Sequence, residues 1–239
     1  MSDLREQIIE AHGGLEGWKS FTRLKATVVT GGTFWATKGL VPDARPREVT
    51  VWLHQQRATV RPYGGPDQMA TFSPGRVAIE TLGGGIGAER LYPRESFRGH
   101  EEATPWDSLH RAYFSGYGLW TYLTTPFLLA WPGVEVTEIE PWPAGQGLWR
   151  RLRAHFPGEI ATHSEVQDFF IDSEGLLRRH DYRVEVAGGF PVAHHVFDYV
   201  EVQGLRLPTR RRAFRRGTDE RAIAQPLMLS IDIGDVRYE

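Results

Sequence analysis

Apolar and polar residues alternate with a period of two along most of the chain, the pattern of β-strands that bury one face. Residues 3–21 come before this pattern and read as two short helices, with "GGLEGW" opening the second. The alternation then predicts four strands, at 22–37, 47–62, 69–82 and 88–98. It predicts seven more after Pro132, at 134–140, 147–156, 163–171, 176–186, 192–202, 205–215 and 227–238. Short turns join most of these strands, which favours an antiparallel meander.

Residues 105–131, "PWDSLHRAYFSGYGLWTYLTTPFLLAW", interrupt the strands with an aromatic-rich helical pattern. Pro105 suits a first helical turn, and Pro126 is expected to break or kink the segment. We therefore predict an α+β fold, mainly antiparallel β. A curved half-barrel of about ten or eleven strands would carry an N-terminal helix and a central helical lid. No linker or repeat divides the chain, so 1–239 is expected to be one domain, built from segments 1–21, 22–99, 105–131 and 134–239.

Composition excludes several classes of function. The net charge of −2 argues against a nucleic-acid partner or an anionic membrane surface. The absence of cysteine excludes disulfides and thiolate chemistry, and no metal or cofactor motif is present, so we expect neither a metal nor a cofactor. The first residues lack the apolar run of a secretory signal, and no stretch approaches the roughly 20 apolar residues that span a bilayer. We therefore expect a cytoplasmic protein without stable membrane insertion.

In one predicted strand, "LLRRHDYRVEV" (176–186), every second residue from Leu176 to Val186 lies on one face. This face ends in valines but also carries polar residues. Assumed hairpin registers at "DSEG", "AGGFP" and "QG" align this strand with its neighbours. Two polar rows then cross an otherwise apolar face: Gln167, His180, Asp198 and Thr209, followed by Glu165, Tyr182, Val196 and Arg211. These rows predict a belt of polar side chains on the inner face, beneath the helical segment.

Apolar walls with a few convergent polar groups are typical of a small-molecule site. Asp198 would orient His180 as a general acid or base, and the candidate catalytic residues are His180, Asp198, Tyr182 and Arg211. The candidate ligand-binding residues are Glu165, Gln167, Arg178, Thr209, Phe169, Val196 and Val200 on the sheet, with Trp120 and Tyr117 on the lid. A purely structural role stays open, because buried polar groups must be hydrogen-bonded in any case.

Two other motifs suggest chemistry less strongly. The rings of His194 and His195 should point to opposite faces of one strand, which leaves a metal site from His180, His194 and a carboxylate as a weaker hypothesis. The run "TRRRAFRR" (209–216) suggests nucleic acid, but on a strand its arginines divide between the two faces.

The run "FFIDSEGLLRRHDYRVEV…HHVFDYVEVQGLRLPTRRRAFRR" carries a resemblance to a known family. Its D-x-x-G-L-L-R-R-x-D-Y and G-x-x-x-P-T-x-R elements, within the C-terminal third, resemble the bacterial lipoprotein-carrier (LolA/LppX-like) superfamily. The resemblance implies an apolar cavity between a concave sheet and a lid. Those carriers act in the periplasm and need an export signal, so lipoprotein transport itself is not expected here.

The leading hypothesis is a binding protein for an apolar small molecule of lipid, polyketide or terpenoid-like character. One alternative is a cofactor-independent isomerase, cyclase or hydrolase that uses the His180–Asp198 pair. A third is a protein-interaction module that uses the charged outer face. The sequence leaves the ligand, the pathway and the oligomeric state open.

Overall fold

The computed structural model describes residues 3–145 and 147–239, which are organised around one antiparallel sheet of thirteen strands. Six strands precede the central helix: β1 (Arg23–Gly31), β2 (Arg47–Trp52), β3 (Ala58–Arg61), β4 (Gln68–Ser73), β5 (Arg76–Thr81) and β6 (Ile86–Leu91). Seven follow it: β7 (Glu135–Ala144), β8 (Gly147–His155), β9 (Val166–Ile171), β10 (Leu177–Val184), β11 (Phe190–Val202), β12 (Leu205–Arg215) and β13 (Leu229–Tyr238). The α-helices are α1 (Leu4–Ala11), α2 (Leu15–Lys19), α3 (Phe34–Thr37) and α4 (Ser108–Thr124), with 3-10 turns at Pro93–Phe97, Phe127–Ala130 and Glu185–Ala187.

The strand order explains where α4 lies. It runs β6-β5-β4-β3-β2-β1-β13-β12-β11-β10-β9-β8-β7, so the sheet is open and its two edges are β6 and β7. These edge strands are consecutive in sequence, and the chain between them has to cross the whole sheet. Helix α4 makes this crossing on the concave side.

The strand count of thirteen exceeds the ten or eleven predicted, for a local reason. The predicted strand 47–62 is a hairpin of β2 and β3, and 69–82 is a hairpin of β4 and β5. The predicted strand 22–37 ends at Gly31 and continues into α3. All seven strands predicted after Pro132 are present, six of them with shifted ends and β12 with the predicted ones.

The predicted helical segments are also confirmed. Asp3 caps α1 by accepting a hydrogen bond from the backbone N–H of Glu6 at 2.8 Å. Asp107 and His110 form a reciprocal capping box at the start of α4. Helix α4 ends before Pro126, as predicted. Within the described part of the chain, no helix combines the length and apolarity needed to cross a membrane.

Helix α4 is buried on every side, so it fills the hollow of the sheet and does not cover it as a lid over a large cavity. On one side Gly116 approaches Phe72 of β4 closely. On the other side Tyr117 and Tyr122 reach the loop before β9 and strand β10. The helix thereby contacts both halves of the sheet.

Candidate functional site

Polar side chains do face inward on β10, β11 and β12, as the strand alternation predicts. His180 and Tyr182 lie on β10, His194 on β11 and Arg211 on β12, and each is at most 4% exposed. His180 pairs with His194 across the β10–β11 hairpin. This buried group faces helix α4.

A continuous series of hydrogen bonds, here called the Tyr–His chain, joins α4 to these strands. Tyr117 Oη lies 3.3 Å from His163 Nδ1, and His163 Nε2 lies 2.6 Å from Tyr122 Oη. Tyr122 Oη is 2.8 Å from Tyr182 Oη, which is 3.1 Å from His194 Nδ1. Since hydroxyls and neutral imidazoles both donate and accept, all four bonds can form with the protons arranged in either direction.

His180 stands apart from the Tyr–His chain, with its own partner. Its Nε2 lies 2.6 Å from Gln167 Oε1, and its ring stacks on Phe169 at 4.3 Å between centroids. The Gln167 amide donates to Thr162 Oγ1 and to the Ser164 carbonyl, both at 2.8 Å. This orientation leaves the amide oxygen for His180, so His180 Nε2 carries the proton and donates it.

Arg211 is 1% exposed, and most of its donors have no partner. Its Nη2 donates to the Tyr122 carbonyl at 2.6 Å, and its guanidinium lies 5.1 Å from the centre of the Tyr122 ring. Within the described residues, Arg211 Nε and Nη1 and the neighbouring His194 Nε2 are buried without a hydrogen-bond partner. We call these three nitrogens the open nitrogens.

No carboxylate balances Arg211 among the described residues. The two buried acidic side chains, Asp168 and Asp181, alternate with inward residues and therefore lie on the convex face. They pair there with Arg153 at 2.8 Å and with Arg179 at 2.5 Å.

Burial sets the protonation of the site. It lowers the pKa of His163 to about 3 and lowers the pKa of His194 well below its usual value, so both rings are neutral at physiological pH. It raises the pKa values of Tyr122 and Tyr182, which keep their protons. Burial also lowers the pKa of Arg211 to about 10, so the guanidinium remains charged at neutral pH. The inner group is thus neutral apart from Arg211.

An apolar pocket adjoins this group between α3, α4 and strands β10–β13. Its lining is Phe34, Phe114, Tyr182, Val184, Phe190, Val192, Ala213, Met228 and Leu229. Its cavity volume of about 20 Å³ is enough for about one water molecule. This pocket is therefore much smaller than the ligand-sized cavity that the family resemblance implies.

Comparisons with known proteins identify the fold. No protein-family model and no curated protein matches the sequence. Among solved structures, a LolA superfamily protein from Nitrosomonas europaea aligns with a TM-score of 0.55 and 7% identity, over 100% of this chain and 94% of that one. A putative outer membrane lipoprotein-sorting protein domain from Vibrio parahaemolyticus aligns with a TM-score of 0.58 and 7% identity, over 99% and 91%. The chain has a LolA-like fold. The predicted resemblance is confirmed at the level of the fold.

Within this LolA-like fold, the predicted His180–Asp198 pair is wrong. Asp198 lies outside, with a side chain 51% exposed that pairs with Arg210 at 3.0 Å. The β10–β11 hairpin closes earlier than assumed, because Glu185–Ala187 form a 3-10 turn and Val184 pairs with Phe190. In addition, Asp198 has a φ of 56°, and Asp198 and Thr209 both drop out of the β11–β12 pairing, although the register is the same on either side of them.

Four predicted ligand-binding residues also lie away from the inner group. Glu165 is exposed in the loop before β9, and Val200 is 39% exposed. Arg178 pairs with Asp172 at 2.5 Å near the β9–β10 turn. Thr209 donates to the Asp198 carbonyl at 2.6 Å. A register shift between Leu177 and Arg179 displaces Arg178 from the predicted row, whereas Val200 and Thr209 lie away from the inner group although the assumed β11–β12 register is confirmed.

The other predicted residues are buried, though not all in one place. Gln167, Phe169, Val196 and Tyr117 contact or neighbour the inner group. Trp120 lies on the opposite side of α4, where its indole N–H donates to the Trp52 carbonyl at 2.8 Å.

Sequence reasoning missed His163 and Tyr122, which connect the Tyr–His chain. His163 starts the predicted strand 163–171, on the same face as Glu165 and Gln167, but the structure places it in the loop before β9; Tyr122 is one of many aromatics on α4. His194 does point inward while His195 lies on the other face, as predicted. The described residues contain no group of three His, Asp or Glu side chains arranged to bind a metal.

Proposed function

We propose that this protein binds an apolar small molecule between strands β10–β13 and helix α4. The observation that carries the proposal is the apolar pocket, which is lined by Tyr182 of the buried polar group and by apolar side chains beside it. Val192 and Ala213 of the pocket are immediate neighbours of His194, by alternation along β11 and by cross-strand pairing with β12. Apolar walls that end in a few convergent polar groups are the usual composition of a ligand site.

Binding requires the pocket to expand, because ligand sites usually measure about 300–1,000 Å³. The side of α4 that faces the pocket is held to the sheet by Phe114 packing, the Tyr–His chain and the bond from Arg211 to the Tyr122 carbonyl. A shift of this side of α4 would open the space.

The alternative of an acid/base enzyme loses its main support, because Asp198 lies on the outside and His180 donates to Gln167. The LolA-like fold favours the binding function over that alternative, although at 7% identity it does not transfer a ligand.

The test is a titration of the purified protein with the uncharged apolar dye Nile red, followed by dye fluorescence. The variant Val192→Phe adds bulk at the pocket and should weaken dye binding by about tenfold or more. Val200→Phe is the matched control, because Val200 lies on the same strand but is 39% exposed and should leave binding unchanged. Circular dichroism confirms that both variants fold.

Two results would contradict the proposal. One is the absence of saturable Nile red binding, together with native mass spectra of freshly purified protein that contain only the polypeptide. The other is equal dye binding by the folded Val192→Phe and Val200→Phe variants.

A further inference from the structure

Among the described residues, the polar group on β10–β12 holds one positive charge, Arg211, and no negative one, and the inference drawn from it rests on the proposed function. Arg211 is fully buried, and among the described residues neither buried carboxylate lies on its side of the sheet. A buried charge without a counter-ion destabilises a protein interior, so proteins normally pair it. Arg211 is therefore expected to pair with a group that the described residues do not supply.

The open nitrogens form a group on the sheet. Arg211 pairs with Val196 across the β11–β12 ladder, and His194 lies two residues from Val196 on the same face. Diagonal neighbours of this kind lie about 7–8 Å apart, within reach of long side chains. Both side chains also contact one ring, because Tyr122 lies 5.1 Å from the Arg211 guanidinium and 4.7 Å from the His194 ring.

The Tyr–His chain can make His194 a donor toward this group. When the Tyr182 hydroxyl donates to His194 Nδ1, the neutral ring carries its proton on Nε2. The remaining bonds of the chain can all follow the same direction, from Tyr117 through His163 and Tyr122. All three open nitrogens then offer N–H groups, and none of the three is an acceptor.

The apolar pocket lies beside this group on the same face of the sheet. Ala213 pairs with His194 across the ladder and lies two residues beyond Arg211, and it lines the pocket together with Val192 and Leu229. A ligand that reaches the open nitrogens therefore has its remaining atoms against apolar side chains.

We propose that the ligand is an apolar carboxylic acid, bound as its carboxylate between Arg211 and His194 with its apolar body in the pocket. A carboxylate supplies one negative charge and accepts several hydrogen bonds, which matches one guanidinium and an added neutral donor. A phosphate dianion would leave an uncompensated negative charge in the same buried space, and an alcohol would leave the guanidinium unpaired.

The test compares ligands that share one apolar chain. Decanoate, 1-decanol and decyl phosphate are each titrated against protein-bound Nile red near neutral pH, and displacement of the dye is measured by its fluorescence. For the wild-type protein, decanoate should compete at concentrations about 10- to 100-fold lower than decanol, because a charge-assisted hydrogen bond to a buried partner is lost with the alcohol.

The variant Arg211→Met should remove most of this preference and leave competition by decanol nearly unchanged. Arg212→Met is the matched control, because Arg212 is the next residue, lies on the other face and pairs with Asp232 at 2.8 Å. It should retain the preference for decanoate. If Arg211→Met does not fold, the wild-type comparison of the three ligands still decides the question.

Equal competition by decanoate and decanol, or stronger competition by decyl phosphate, would overturn the inference and leave the proposed function standing. A preference for decanoate that survives in folded Arg211→Met would also overturn it. Failure of Nile red itself to bind would instead count against the proposed function.

Discussion

Adding one methyl group at Gly116 is expected to destabilise the fold, because α4 packs directly on β4 at this residue. A Cβ at Gly116 would lie 2.5 Å from Cγ of Phe72 and would also meet Cβ of Phe72. Cβ is fixed to the backbone, so rotation of the Phe72 ring cannot relieve the contact. Either α4 or β4 has to shift.

The expected change in the free energy of unfolding is the difference between two contributions. Overpacking in a core costs about 1–3 kcal/mol, and a clash with a fixed atom belongs at the upper end of this range. Replacing glycine by alanine inside a helix stabilises the folded state by about 1 kcal/mol. Gly116→Ala should therefore lower the free energy of unfolding by about 1–2 kcal/mol.

Gly118→Ala is the matched control on the same helix. A Cβ at Gly118 would lie 3.7 Å from His163 Nε2 and from the Tyr122 ring, which is ordinary van der Waals contact. This variant should gain up to about 1 kcal/mol. Urea unfolding followed by tryptophan fluorescence measures both values. If Gly116→Ala is as stable as the wild type, the close packing of α4 on β4 is wrong.

Three further predictions concern the buried polar groups. The pKa of His163 is about 3 in the fold against 6.5 when unfolded, so its contribution to stability is present above pH 6.5 and is lost as the pH falls toward 3. Between about pH 7.5 and 5.5, the free energy of unfolding in urea should fall by up to about 1.4 kcal/mol per pH unit for each such histidine, and a flat profile would refute this. Tyr182→Phe removes the middle of the Tyr–His chain and should cost about 1–3 kcal/mol in the same assay, whereas an unchanged midpoint would mean that the chain contributes nothing. Asp181→Asn leaves Arg179 and Arg216 without their shared carboxylate and should cost about 3–5 kcal/mol; adding Arg179→Met should recover part of the loss, and full stability of the single variant would contradict the buried pairing.

The elements of this fold could be predicted where periodicity and turn chemistry agree. The two-residue Gln203–Gly204 turn fixed the β11–β12 register, and the predicted pairings Val202 with Leu205 and Val196 with Arg211 are confirmed. Pro126 correctly marked the end of α4. In both cases a local residue dictates the geometry.

The candidate site could be predicted only in part, because its rows depend on turns that the sequence leaves ambiguous. The run "AGGFP" reads as a loop, but Gly188 and Gly189 both adopt positive φ and return the chain to the sheet by Phe190. The resulting shift places His194 opposite His180. The left-handed conformation of Asp198 is similarly invisible to alternation, since a non-glycine residue at positive φ is uncommon.

The two sides of α4 differ in the kind of contact that holds them, and this difference bears on how a ligand could enter. Toward β4 the helix is held by steric fit at Gly116, which no solute can replace. Toward β10–β12 it is held largely by hydrogen bonds from Tyr122, Tyr182 and Arg211. A hydrogen bond contributes only about 1 kcal/mol net, because its donor and its acceptor can each form a hydrogen bond with another partner when the bond is broken. A ligand that supplies such a partner for Arg211 thus compensates part of the cost of separating α4 from this half, and the opening is expected here and not toward β4.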